Sequence, residues 1–183
     1  MSVTSTRWHP LVQALHWLGL LLVAMIAAIG LVMVDLPKGD ATRSVLYATH
    51  KSLGIAALAL ATLRVLARWR TRAPMPPPSP AWQRRVAAAS HALMYALLLA
   101  LPLSGWLLNS VAGQPLPWFG LVDLPALAPA LPDWRKPVDR LHVALFWTLA
   151  GVVAVHVLAV IHHHAVRRER ILSRMLPSRR AQD

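Results

Sequence analysis

Of the 183 residues, 56% are hydrophobic and 14% charged, with a mean hydropathy of +0.48, too apolar for an ordinary soluble domain and in keeping with a helical membrane protein. The formal charge of +12 is carried by short basic segments between long apolar runs, which is a pattern of membrane topology and argues against a nucleic-acid partner. The chain has no cysteine, so disulfide frameworks, thiolate zinc sites, all-cysteine iron-sulfur clusters and covalent haem attachment through Cys-x-x-Cys-His are excluded, and histidine is the good transition-metal ligand present in quantity.

Four stretches, 11–34, 45–66, 86–111 and 141–161, are long and apolar enough to cross a hydrocarbon core of about 30 Å, which takes roughly 20 helical residues. The expected fold is an all-α membrane protein with four transmembrane helices in a bundle. The first span reads as a retained helix and not a cleaved signal, because its apolar run is long, it holds His16 and Trp17, and no clear small-x-small site ends it. Between the second and third spans, Thr71 to Pro80 is too rich in proline to continue a helix and must be a loop. The connection from Gly113 to Pro137 is rich in turn residues, and its Trp118, Phe119 and Trp134 suit a loop lying at the membrane surface. No gap accommodates a soluble domain, so residues 1–183 read as one membrane domain.

Counting Lys and Arg around the spans gives the orientation. Arg7, Arg64, Arg68, Arg70, Arg72, Arg84, Arg85, Arg167, Arg168, Arg170, Arg174, Arg179 and Arg180 flank one side. Lys38, Arg43, Lys51, Arg135, Lys136 and Arg140 flank the other. Positive residues concentrate in cytoplasmic loops, so both termini are expected in the cytoplasm of a bacterial inner membrane.

A histidine at membrane depth is costly and is a functional candidate by default. His16 and His91 lie about a turn inside the cytoplasmic ends of the first and third spans; His50 and His142 lie near the outer ends of the second and fourth; His156 lies further along the fourth. His9 precedes the first span and reads as interfacial. His142 and His156 are separated by fourteen residues, which is roughly 21 Å along a helix axis and returns to within about 40° of the same direction. Both rings therefore face one side of the helix at two membrane levels, the arrangement needed to offer one axial ligand to each of two stacked haems. At the outer level His50 is the available partner for His142. At the inner level His16 and His91 both compete for His156. A lone membrane histidine often only bridges helices, but two levels that both pair weaken that reading. Gly54, one turn from His50, and Gly19, three residues from His16, could admit a flat porphyrin or simply serve helix packing. His162, His163 and His164 adjoin Arg167 and Arg168 and read as snorkelling interfacial residues, with a quinone-headgroup contact as the sharper alternative.

Leu15-His16-Trp17, Thr49-His50-Lys51-Ser52-Leu53-Gly54, Ala89-Ser90-His91, Leu101-Pro102-Leu103-Ser104-Gly105, His142, Val155-His156 and Met175-Leu176-Pro177 together resemble the bacterial cytochrome b561 family, a four-helix group that includes superoxide oxidases. The resemblance covers nearly the whole chain. It implies that His16, His50, His142 and His156 are the axial ligands of two haem b groups, and it favours His16 over His91 as the partner of His156. His91, with Tyr95 one turn later, then lines the haem edge, a propionate or a quinone. The resemblance also implies electron exchange between the outer face and membrane ubiquinone. Superoxide is the expected donor, steered by a cationic mouth in which Lys51, beside His50, is the foremost candidate, with Arg43, Arg140, Arg135 and Lys136 around it. The alternative is a cytochrome b relay subunit of a dehydrogenase or hydrogenase complex, fed by another periplasmic donor; a haem-free transporter is a third reading.

Overall fold

The computed structural model describes residues 7–75, 79–169 and 171–177. Arg170, Arg179 and Arg180 of the charge count, and part of the proline-rich loop, lie outside the described residues.

Four long helices dominate: α1 (Pro10–Asp35), α2 (Ala41–Arg70), α3 (Ala81–Val111) and α4 (Arg135–Ile161). All four are long and apolar enough to cross a membrane. Most run past the apolar stretches read from sequence, because apolarity marks the hydrocarbon thickness whereas backbone bonding continues to a cap or a proline. Pro10 opens α1, where the Leu11 N–H donates to His9 Nδ1 at 3.2 Å. Asp40 caps α2 by accepting from the Thr42 N–H at 2.7 Å. Pro80 precedes α3, and Pro102 lies inside it. A short 3-10 turn, Pro132–Trp134, leads into α4, and His162–Val166 prolongs α4 as a π-helical turn.

The α3–α4 connection holds an antiparallel ribbon that sequence reading did not anticipate: β1 (Leu116–Trp118) pairs with β2 (Val122–Leu124). Three residues, Phe119, Gly120 and Leu121, join the strands; Phe119 at φ 52° and Gly120 at φ 71° turn the chain so that the Leu121 N–H donates to the Trp118 carbonyl at 3.0 Å. The ribbon docks on α2. Trp118 Nε1 donates to the Ser52 carbonyl at 3.1 Å, and the Phe119 N–H donates to Ser52 Oγ at 3.0 Å.

Polarity is distributed as lipid demands. Leu21 and Val155 expose about two thirds of their surface, whereas Gln13, Ser52, Ser104, Asn109 and Ser110 are buried. In lipid, apolar side chains gain nothing by turning inward, and buried polar groups join helices instead. Gln13 Nε2 donates to the carbonyls of Trp8 (3.0 Å) and Arg174 (3.2 Å), and Trp17 Nε1 donates to that of Met175 (2.8 Å). These bonds seat the C-terminal Met175-Leu176-Pro177 segment against the start of α1.

Candidate haem sites and outer cationic cavity

The outer level is built by α2 and α4, with α1 and α3 supplying support. The His50 and His142 ring centres lie 6.4 Å apart. A metal–imidazole bond of about 2 Å puts two imidazoles held on opposite sides of one metal about 6 Å apart, centre to centre. The pair therefore has the spacing of trans ligands.

Their hydrogen bonds fix which nitrogen is available. His50 Nδ1 lies 3.2 Å from the Ile26 carbonyl, which can only accept, so Nδ1 carries the proton and Nε2 keeps its lone pair. Ser104 gives its hydroxyl proton to the Leu101 carbonyl at 2.7 Å and so accepts from His142 Nδ1 at 2.9 Å. Both rings thus present a bare Nε2, and both have the outer partner that orients metal-ligating histidines. Two glycines allow the rings to sit where they do. A Cβ on Gly30 would lie 3.0 Å from His50 Cε1, and one on Gly105 would lie 3.1 Å from His142 Cε1. Gly54 faces open space and Gly19 meets only Leu60 at 3.8 Å, so the glycines against the rings are not the two singled out from sequence. Gly105 follows Ser104 in a stretch the sequence already marked, whereas nothing in the sequence marked Gly30.

The inner level gathers residues of all four helices. His91 and His156 pack edge to face at 5.5 Å, shorter than the trans spacing, and both lie within electrostatic range of His16. Arg64 Nη2 donates to His16 Nδ1 at 2.8 Å, and its guanidinium lies 5.2 Å from the Tyr95 ring centre. Arg64, counted among the flanking cations from sequence, therefore turns into the bundle. Its Nε is buried without a partner, and the ion pairs found among the described residues both involve Glu169 instead. With a donor left over on Nε, the guanidinium has room for a further acceptor, and an anion would suit it. Of the three consecutive histidines, His163 pairs with Glu169 at 2.8 Å, and Glu169 also holds Arg167 at 3.0 Å. His162 and His164 are exposed.

At the same end of α2 opens a cavity of about 370 Å³ lined by Lys38, Arg43, Tyr47, Lys51, Gln114 and Arg135 among others; His50 is joined to it through its chain neighbour Lys51 and does not itself line it. Lys51 donates to Gln114 Oε1 at 3.2 Å, and Arg43 is held by the Leu36 carbonyl at 2.9 Å and by Tyr47. Lys51 and Arg43 thus share one mouth, as their sequence positions suggested. Arg140 and Lys136 are exposed and lie outside its lining.

Four apolar spanning helices enclosing oriented histidines define a membrane-spanning cytochrome of the b type. Over residues 7–178 the chain matches the family described as prokaryotic cytochrome b561, and it belongs to that family. It is 34% identical to Escherichia coli "Cytochrome b561 homolog 2", covering 96% of this chain and 95% of that one. It is 31% identical to "Cytochrome b561 homolog 1" of the same organism, over 91% of this chain and 94% of the relative. Against "Probable superoxide oxidase CybB" of Yersinia pestis it is 33% identical, over 91% and 93% of the two chains. The protein is accordingly a multi-pass bacterial membrane cytochrome of electron transport that binds haem b.

Proposed function

We propose that the protein is a superoxide:ubiquinone oxidoreductase of the inner membrane, with both termini cytoplasmic and with residues 1–183 forming a single di-haem domain. The observation that carries this reading is the cationic cavity in which Lys51 directly follows His50. Four cations, Lys38, Arg43, Lys51 and Arg135, line one opening that Lys51, the chain neighbour of His50, borders. Such a mouth concentrates a small anion and raises its encounter rate. The 33% identity to a relative named as a superoxide oxidase supports the same donor.

In this reading His50 and His142 hold the outer haem through Nε2, and His16 and His156 hold the inner one. Bound there, haem would supply the one-electron exchange, while these residues hold and orient it. Ile26 and Ser104 orient the outer ligands, and Gly30 and Gly105 give the rings their room. Net, two superoxide anions each lose one electron to become dioxygen, while one ubiquinone gains both electrons and two protons to become ubiquinol. His163, held by Glu169 at 2.8 Å in the π-helical turn, is the member of the histidine run best fixed to make the alternative quinone-headgroup contact at the end of α4.

The direct ring contact of His91 with His156 favours a second reading of the inner site alone, in which His91 replaces His16 as ligand. At 5.5 Å the His91 and His156 rings stand closer than two imidazoles across one metal, and the preference for His16 rests on the family resemblance. A relay subunit of a larger complex would use the same histidines but would not need the cationic cavity. Purified protein given superoxide as sole reductant separates the two: a superoxide oxidase becomes reduced and passes its electrons to added ubiquinone, whereas a relay subunit stays oxidised.

A further inference from the structure

Arg64 stands fourteen residues after His50 on α2, the same separation that divides His142 from His156 on α4. Fourteen residues advance roughly 21 Å and return to nearly the same face, so α2 presents a histidine at the outer level and a guanidinium at the inner one. The contacts agree, because Arg64 meets His16 of α1 and Tyr95 of α3 at the level of His156.

The bond to His16 bears on the ligand role. A guanidinium has no lone pair to offer, so His16 Nδ1 must accept from Arg64, which leaves the proton of the neutral ring on Nε2. A ring that ligates iron through Nε2 needs that proton on Nδ1. Arg64 and iron therefore cannot both be satisfied by His16 in this tautomer, and Arg64 needs another acceptor when His16 is a ligand. Tyr95 is the other group beside the guanidinium, Arg64 Nε is buried without a partner, and among the described residues no ion pair with Asp or Glu is found for this side chain.

The geometry points to Arg64 as the residue that binds a propionate carboxylate of the inner haem. Were α1 and α4 to hold the inner haem through His16 and His156, α2 would lie along its edge, and Arg64 would be within reach of a carboxylate presented there. A guanidinium matches a carboxylate through two parallel N–H donors, which a lysine cannot reproduce. This assignment rests on the di-haem reading above.

The test is a redox titration of the quinone-depleted holoprotein, combined with resonance Raman spectroscopy of the haem propionate bending mode, for the wild type, Arg64→Gln and Arg64→Lys. Loss of the positive charge should disfavour reduction of the inner haem by tenfold or more, a fall in midpoint of at least about 59 mV for one electron, and should shift the propionate band. Arg64→Lys should keep most of the potential while still shifting the band. An unmoved midpoint and band in Arg64→Gln overturn the proposal, as does an effect confined to quinone affinity, which would mark a quinone oxygen as the partner. If Arg64→Gln does not retain the inner haem, the band in Arg64→Lys decides: shifted supports the assignment, unshifted overturns it. A wild type with only one haem is a different failure, that of the di-haem reading itself.

Discussion

Ser104 and His142 are joined by a hydrogen bond of 2.9 Å whose direction is set by a third group, because the serine proton is already committed to the Leu101 carbonyl. His142 must be the donor, and its Nε2 is left free for a metal. Ser104→Ala removes the acceptor while leaving the ligand. Loss of such an orienting partner typically weakens metal holding about 10–100-fold. Haem release from the Ser104→Ala protein to an excess of a soluble haem scavenger should be faster for the outer haem and unchanged for the inner one; equal rates for wild type and variant would remove Ser104 from the site.

The two levels predict two haems. Pyridine haemochrome analysis should give about two b haems per chain. His50→Ala or His142→Ala should lose the outer haem alone, and His16→Ala or His156→Ala the inner alone. His91→Ala decides the inner pairing: it should keep both haems, and loss of a haem there with retention in His16→Ala would make His91 the ligand.

Gly30 and Gly105 lie so close to the outer rings that a side chain would displace them. Gly30→Val and Gly105→Val should each lower outer-haem content and alter its spectrum, with the inner haem retained. An intact outer haem in both valine variants would show that the rings have slack the geometry does not suggest.

With superoxide as the proposed donor, steering by the outer cations would make haem reduction sensitive to salt, since screening shortens the Debye length from about 30 Å at 0.01 M to about 8 Å at 0.15 M ionic strength. Haem reduction by superoxide should slow over that range. Lys51→Glu should slow it at low salt and weaken or reverse the salt dependence, with haem content unchanged, because Lys51 adjoins a ligand without being one. Stopped-flow rates at the two ionic strengths check this.

The four spans were legible because hydrocarbon thickness imposes a length on any apolar helix, and the depth of each histidine followed from its place in a span. The facing of His142 and His156 followed from helix periodicity alone. Other features depend on how the helices are rotated and what the loops do. Arg64 resembles any flanking cation until α2 is turned to face His16. Gly30 shows its purpose only once His50 of another helix is laid against it. The β1–β2 ribbon, three residues per strand, is too short to leave a periodic signal, and its docking on Ser52 joins residues more than sixty positions apart. Arg140 and Lys136 looked equivalent to Arg135 in sequence, yet only Arg135 lines the cavity.

The most direct test is anaerobic absorption spectroscopy of the purified ferric protein with superoxide as the sole reductant, followed by ubiquinone. The account predicts that a reduced b-type spectrum appears on adding superoxide and is reversed by the quinone. A protein that dithionite reduces but superoxide does not would contradict it.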